Sequence, residues 1–145
     1  MSAPNKAIIR RLFDECLNSH DLSLYPELYS KVIYHAPAVG TLRAEAHREF
    51  LRSLFAGLPD ARWVIEDQVA EGDKVVTRWS AVGTHLGMFL GIAASDNQLV
   101  LQGISIHRIA NGKIVEEWAE WDTLSMMRQL GVIAPELAIG DMVAP

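Results

Sequence analysis

One carboxylate and five histidines are the side chains of this sequence best suited to moving protons, and their positions limit what they can do. Asp122 follows Trp121 and lies two residues before Leu124, so its neighbours are apolar rather than charged. Such surroundings desolvate the ionised form, which raises a carboxyl pKa toward the range useful to a general base. An aspartate directly before the helical pattern Thr123–Leu130 is also a good helix N-cap.

His107 belongs to the hairpin that ends in Asp122. Asn111-Gly112 is the signature of a type I′ turn, and it joins strand patterns over Gln98–Ile109 and Lys113–Trp121. With Ala110 facing Lys113, a regular ladder pairs His107 with Glu116, Ser105 with Trp118, Gly103 with Glu120 and Leu101 with Asp122, and residues directly opposite share a face. The same ladder puts Ile104, Ile106, Val115, Ala119 and Trp121 on the other face. The polar face is either the solvated outside of the sheet or a ligand-facing surface, and Trp118 and Leu101 on it argue for the second. In this register His107 and Asp122 stand about 20 Å apart on flat strands and cannot touch.

The elements that position these groups are legible from their periods. From Pro4 to Asn18, Ile8, Ile9, Leu12, Phe13, Cys16 and Leu17 recur at helical spacing, with Cys16 on the apolar stripe as a small buried hydrophobe. A short helical piece over Leu22–Tyr29, capped by Asp21, leads to a brief strand over Lys31–Ala36, stopped by Pro37. Arg43–Leu58 returns to helical spacing. Ala61–Ala70 and Lys74–Thr84 are β-branched and aromatic strands around Gly72-Asp73, a pair suited to a type II′ turn. Thr123–Leu130 closes the pattern at Gly131, and the apolar tail Val132–Pro145 is expected to dock or to join an oligomer contact. Helices followed by a curled antiparallel sheet make a single α+β domain over 1–145, the sheet wrapping the N-terminal helices into a cone with a ligand-sized mouth.

Composition narrows the function classes. The chain has 145 residues, half of them apolar, and a net charge of −5, so it can bury a core without staples. One cysteine cannot form an internal bridge. An acidic chain with scattered basic residues has no footprint for nucleic acid. The start MSAPNKAIIRR lacks a leader's apolar stretch, and no run reaches membrane-spanning length, so no membrane partner is expected and the cytoplasm is the expected compartment. The histidines show no metal-ligand spacing, and no metal is expected.

Several runs together resemble the SnoaL-like polyketide cyclase family of the nuclear-transport-factor-2-like superfamily: Gly83-Thr84-His85-Leu86-Gly87-Met88-Phe89-Leu90-Gly91-Ile92, Gly103-Ile104-Ser105-Ile106-His107-Arg108-Ile109, Asn111-Gly112-Lys113-Ile114-Val115-Glu116-Glu117-Trp118, and Trp121-Asp122 with Arg128-Gln129-Leu130-Gly131. The resemblance covers nearly the whole chain and implies the α+β cone. It also implies that Asp122 is the general base and a pocket histidine, His107 or His85, the acid, in an intramolecular aldol closure. The substrate class it implies is a small hydrophobic or aromatic, polyketide-like carbonyl compound. Such a reaction needs no cofactor, because flanking carbonyls already acidify the carbon. His35, Trp118, Ser105, Phe89 and Trp79 are the expected substrate contacts. One stretch departs from the family: Ile92-Ala93-Ala94-Ser95-Asp96-Asn97 stands where Ile-Pro-Pro-Thr-Gly-Lys is usual, with Asp96 and Asn97 able to replace the glycine turn.

Two other readings stay open at this stage. Epoxide-hydrolase or isomerase chemistry on the same fold needs an Asp-Arg-Asp grouping, for which Asp67 opposite Arg78 is the nearest candidate and an ordinary cross-strand pair the plainer account. A non-catalytic binding or dimerisation module is the other. A homodimer or homotetramer is expected, to cover the open sheet face and the tail.

Overall fold

The computed structural model describes residues 2–134; residues 135–145 of the apolar tail lie outside the described residues. The first amphipathic stretch is one helical rod. α1 (Ser2–Arg11) continues into a π-helical segment, Leu12–Leu17, that buries Leu12, Phe13, Cys16 and Leu17. Burial pushes the Cys16 thiol up to about 11, as befits a packing residue rather than a nucleophile. At the end of the rod the Asn18 amide docks on the edge strand like a peptide group: its Nδ2 donates to the Trp63 carbonyl at 2.9 Å and its Oδ1 accepts from the Trp63 N–H at 2.6 Å.

A 3₁₀ turn at Leu22–Leu24, capped by Asp21 through the Ser23 N–H, leads into α2 (Tyr25–Leu28). The strands are β1 (Tyr29–Ala36), β2 (Gly40–Arg43), β3 (Arg62–Glu71), β4 (Lys74–Thr84), β5 (Gln98–Ala110) and β6 (Lys113–Trp121), with α3 (Ala44–Gly57) after β2 and α4 (Thr123–Gln129) last. They form one curled, unclosed sheet in the order β2-β1-β6-β5-β4-β3. β2 has only four residues, too few to display a period. β1 lies parallel to β6, so the sheet is not wholly antiparallel.

Both long hairpins turn as their residues require. Asn111 and Gly112 both take positive φ (+50° and +74°), the type I′ pair, whereas Gly72 (+58°) does so without Asp73, as type II′ demands. The ladder between β5 and β6 then departs from the regular one. Ala110 faces Lys113 and Ile109 faces Ile114, but Arg108 faces Glu116, because Val115 is an extra residue on β6. This β-bulge moves every later residue of β6 to the opposite face. His107 is opposite Glu117, not Glu116, and Ser105 is opposite Ala119, not Trp118. The concave face therefore carries His107, Ser105, Glu117, Ala119 and Trp121. Trp118, Glu116 and Glu120 point outward.

Gly103 is the point where this face must be thin. A Cβ there would sit 2.3 Å from Cζ2 of Trp79 and 2.7 Å from the Glu120 carbonyl oxygen. Gly103→Ala is expected to cost about 1–3 kcal/mol through this overpacking, read as a melting temperature lowered by roughly 3–10 °C.

Candidate active site

Helices and sheet enclose a largely apolar cavity of about 90 Å³. Phe13 and Leu17 come from the π-helical segment, Phe50 and Leu54 from α3, and Trp63, Trp79, Leu101 and Trp121 from the concave face of the sheet. A volume below the roughly 300–1,000 Å³ of drug-sized sites encloses about one ring of a ligand. Larger substrates would have to extend beyond it.

The polar side chains that line this apolar space include Ser105, His107, Glu117 and His47, with Tyr29 and Tyr34 beside them. His107 is 1 % exposed and Glu117 8 %. Their closest approach is 3.2 Å between Nε2 and Oε1. The contact is close but poorly aligned, and neither ring nitrogen of His107 nor Oε1 of Glu117 makes a hydrogen bond. Buried polar atoms without partners are costly, so a pair left this way in a cavity is positioned to bind a ligand's polar atoms. Burial alone would raise the Glu117 carboxyl; the charge of His107 above all, then His47 and the Tyr29 hydroxyl, draw it below the usual value of 4.5. The carboxylate is thus the form the fold favours. Ser105 accepts a hydrogen bond from Trp79 Nε1 at 3.1 Å, which turns its own hydroxyl hydrogen toward other acceptors.

Of the residues singled out in the sequence, His107, Ser105, Trp79 and Phe89 line this cavity. Phe89 is delivered by a tight turn in which Leu90 and Gly91 take positive φ and Phe89 pairs with Ile92. Asp96 adopts φ +62° at the position where the family has glycine, as its side chain allows. His85 is buried, but it serves this loop instead of the cavity. Its Nδ1 accepts from the Ser95 N–H at 3.2 Å, so its Nε2–H donates to the Ile92 carbonyl at 3.2 Å. Both nitrogens are occupied with holding the segment that carries Phe89.

Three placements correct the sequence reading. Asp122 is exposed, not desolvated: its Oδ1 accepts the Ser125 N–H at 3.0 Å as the N-cap of α4, and it borders an open groove with Glu66, Arg78 and Glu120. Trp118 and His35 lie on the convex face, away from the cavity, where their rings stack at 5.4 Å and Glu116 bridges His35 (2.8 Å) and Arg108 (3.2 Å). Both follow from the bulge, since it carries Trp118 outward and the parallel pairing of β1 places His35 beside it. Asp67 and Arg78 do stand opposite each other, but Arg78 points to the convex side, so they make no interior Asp-Arg-Asp grouping.

Sequence reasoning missed Glu117, His47 and the tyrosines around them. The signal for Glu117 was its spacing of two from Ala119 and four from Trp121, both on the apolar face of the hairpin pattern. His47 sits on the apolar stripe of α3, three residues before Phe50 and four before Leu51, and is 1 % exposed.

Two of these groups make stability depend on pH. Burial lowers the His47 pKa below 6.5 in the fold, so its contribution is complete above 6.5 and is lost as pH falls through the folded value. Glu117 is also lowered, from 4.5, so its contribution is lost at still lower pH. Acidification is expected to destabilise the protein in two stages, each with a slope of at most about 1.4 kcal/mol per pH unit. Urea unfolding at a series of pH values checks this, and His47→Phe should remove the upper stage only.

Among the described residues, no helix is long and apolar enough to cross a membrane. No curated protein matches the sequence. Among solved structures, AclR of Streptomyces galilaeus, provisionally described as a hydroxylase, superposes with a TM-score of 0.83 at 21 % identity over 92 % of this chain and 100 % of its own, a likeness of fold alone. TsrD of Streptomyces laurentii (TM-score 0.80) is 28 % identical over 92 % of this chain and 98 % of its own. IdmH of Streptomyces antibioticus, provisionally described as a polyketide cyclase, is 28 % identical with a TM-score of 0.76 over 88 % and 98 %. The family model for SnoaL-like polyketide cyclases matches residues 7–130. A curled sheet closed by helices over a cavity, with this match along most of its length, places the chain in the SnoaL-like polyketide cyclase family.

Proposed function

We propose that this protein is a cofactor-free acid–base enzyme that enolises a carbonyl compound and closes a ring by intramolecular aldol addition, with Glu117 and His107 as the acting pair. Family and fold support a cyclase- or isomerase-type role. The observation that carries the finer reading is the buried His107–Glu117 pair, whose unpartnered nitrogens and oxygen line a largely apolar cavity. Glu117 takes a proton from the carbon next to a carbonyl, the C–H electron pair becoming the enolate. The N–H of His107 stabilises the oxygen on which charge develops. The enolate carbon then attacks a second carbonyl of the same molecule, and the new alkoxide recovers a proton from the pair. Trp79, Trp121 and Phe89 supply flat apolar walls for an aromatic or polyketide-like substrate.

Incorporation of deuterium from D2O at the α-carbon of acetophenone, followed by NMR, tests this. Wild type and Asp122→Asn are expected to exchange alike, whereas Glu117→Gln should fall to background. Exchange that depends on Asp122 and not on Glu117, or no exchange with wild type, would overturn the assignment.

A further inference from the structure

His47 is a polar group of the cavity that the ring-closing chemistry leaves unused. Its ring is fixed on α3 by Tyr34, stacked on it at 4.4 Å, and by Tyr29, edge-on at 5.2 Å. Its Nδ1 lies 2.9 Å from the Tyr25 hydroxyl, which is also 3.2 Å from the Ala44 carbonyl oxygen. A carbonyl oxygen only accepts, and a tyrosine has one hydroxyl proton. When that proton is directed to Ala44, the hydroxyl oxygen can satisfy His47 only by accepting, so Nδ1 carries the imidazole hydrogen. Nε2 then holds a lone pair in a ring that lines the cavity. Tyr25 is itself held by stacking on Tyr29 at 4.5 Å and by the Arg48 guanidinium 5.5 Å above its ring. Glu117 and His107 are titratable groups that share the space with His47.

We infer that His47 is a specificity-determining residue and Tyr25 the positioning residue behind it: Nε2 of His47 accepts a hydrogen bond from a hydroxyl group on the ring held in the cavity. The preferred ligands are then phenolic or enolic carbonyl compounds. The division of labour is physical. Ser105 and His107 offer donors to a carbonyl oxygen, and His47 offers the neutral acceptor that a hydroxyl needs. A site that holds a buried acceptor discriminates against the analogue that cannot fill it, because the acceptor is then left unpaired.

This inference deepens the reading above and rests on the cavity being the substrate site, but its test does not depend on which carboxylate acts. Imidazole ¹⁵N NMR of the whole chain reports the tautomer without any substrate, and wild type is expected to show hydrogen on Nδ1 and an unprotonated Nε2. Titration followed by the same spectra should show 4-hydroxyacetophenone binding about tenfold tighter than acetophenone, the size of one good neutral hydrogen bond. His47→Phe, which keeps the ring stacking, should bring the two ligands level. Tyr25→Phe, which removes one oxygen, should give mixed tautomers and a reduced preference. Hydrogen on Nε2 in wild type, equal or absent binding of the two ketones, or a preference that survives His47→Phe would each overturn it. Glu117→Gln should retain the preference while losing exchange, which separates this inference from the acid–base assignment.

Discussion

Glu117→Gln is expected to slow α-proton exchange by about 10²–10⁴, the usual share of a positioned general base. The amide matches the carboxylate in size, so the apolar walls of the cavity keep their contacts, and only the ability to take a proton is lost. Folding should survive the change for an electrostatic reason. The amide leaves no unpaired carboxylate buried, and its oxygen can still accept from the His107 N–H. The variant's defect should therefore appear in rate and not in melting. Because the fold holds the Glu117 carboxyl below its usual value, wild-type exchange should persist into mildly acidic buffer as long as the protein stays folded. Glu117→Asp retains the charge but withdraws it by one methylene, and should recover only part of the rate, as expected when geometry limits proton transfer. Equal rates for wild type and Glu117→Gln, measured at pH values where both melt normally, would place the base elsewhere.

The residues that proved easiest to place are those whose signals are local. Asn111-Gly112 needed no tertiary information, because two successive positive φ angles suit few other pairs, and the Ala110–Lys113 register beside it is as the turn requires. The helical stripe that buries Ile9, Leu12, Phe13, Cys16 and Leu17 was equally open to reading, since burial of one face is all that its period encodes. The site was not open in this way. Its geometry hangs on one extra residue, Val115, and a bulge leaves no turn chemistry in the sequence. A shift of one position exchanged the faces of β6, turned Trp118 outward and Glu117 inward, and so moved the candidate carboxylate five residues along the chain. His47 was hidden for a different reason. Its partners Tyr25, Tyr29 and Tyr34 come from α2 and β1, and only the packing of α3 against β1 brings them together. The family likeness pointed to the fold correctly, but a likeness of sequence does not report the burial of a side chain. Burial is what separates Asp122, a helix cap in solvent, from Glu117.

His107→Leu should be as damaging to stability as Glu117→Gln is to rate. Leucine fills much of the imidazole's space, so the loss is not chiefly one of packing; it is the loss of the partner that compensates a buried carboxylate. Breaking a buried pair by removing one partner costs about 3–5 kcal/mol. Proton uptake sets a limit on that cost. Taking the usual glutamate value of 4.5, neutralising Glu117 at pH 7 requires about 3.4 kcal/mol, since each pH unit is worth about 1.4 kcal/mol. The same step requires only about 0.7 kcal/mol at pH 5. The deficit of His107→Leu should accordingly be near 3 kcal/mol at pH 7 in urea unfolding and should shrink steadily toward pH 5, the opposite trend to the acid loss of the wild type. The double variant His107→Leu/Glu117→Gln removes the charge along with its partner, and should regain most of the lost stability at pH 7, giving a coupling energy of about 2–3 kcal/mol in the mutant cycle. A deficit independent of pH, or a double variant no more stable than His107→Leu alone, would show that His107 supports the fold by packing and that the pair is not an electrostatic unit.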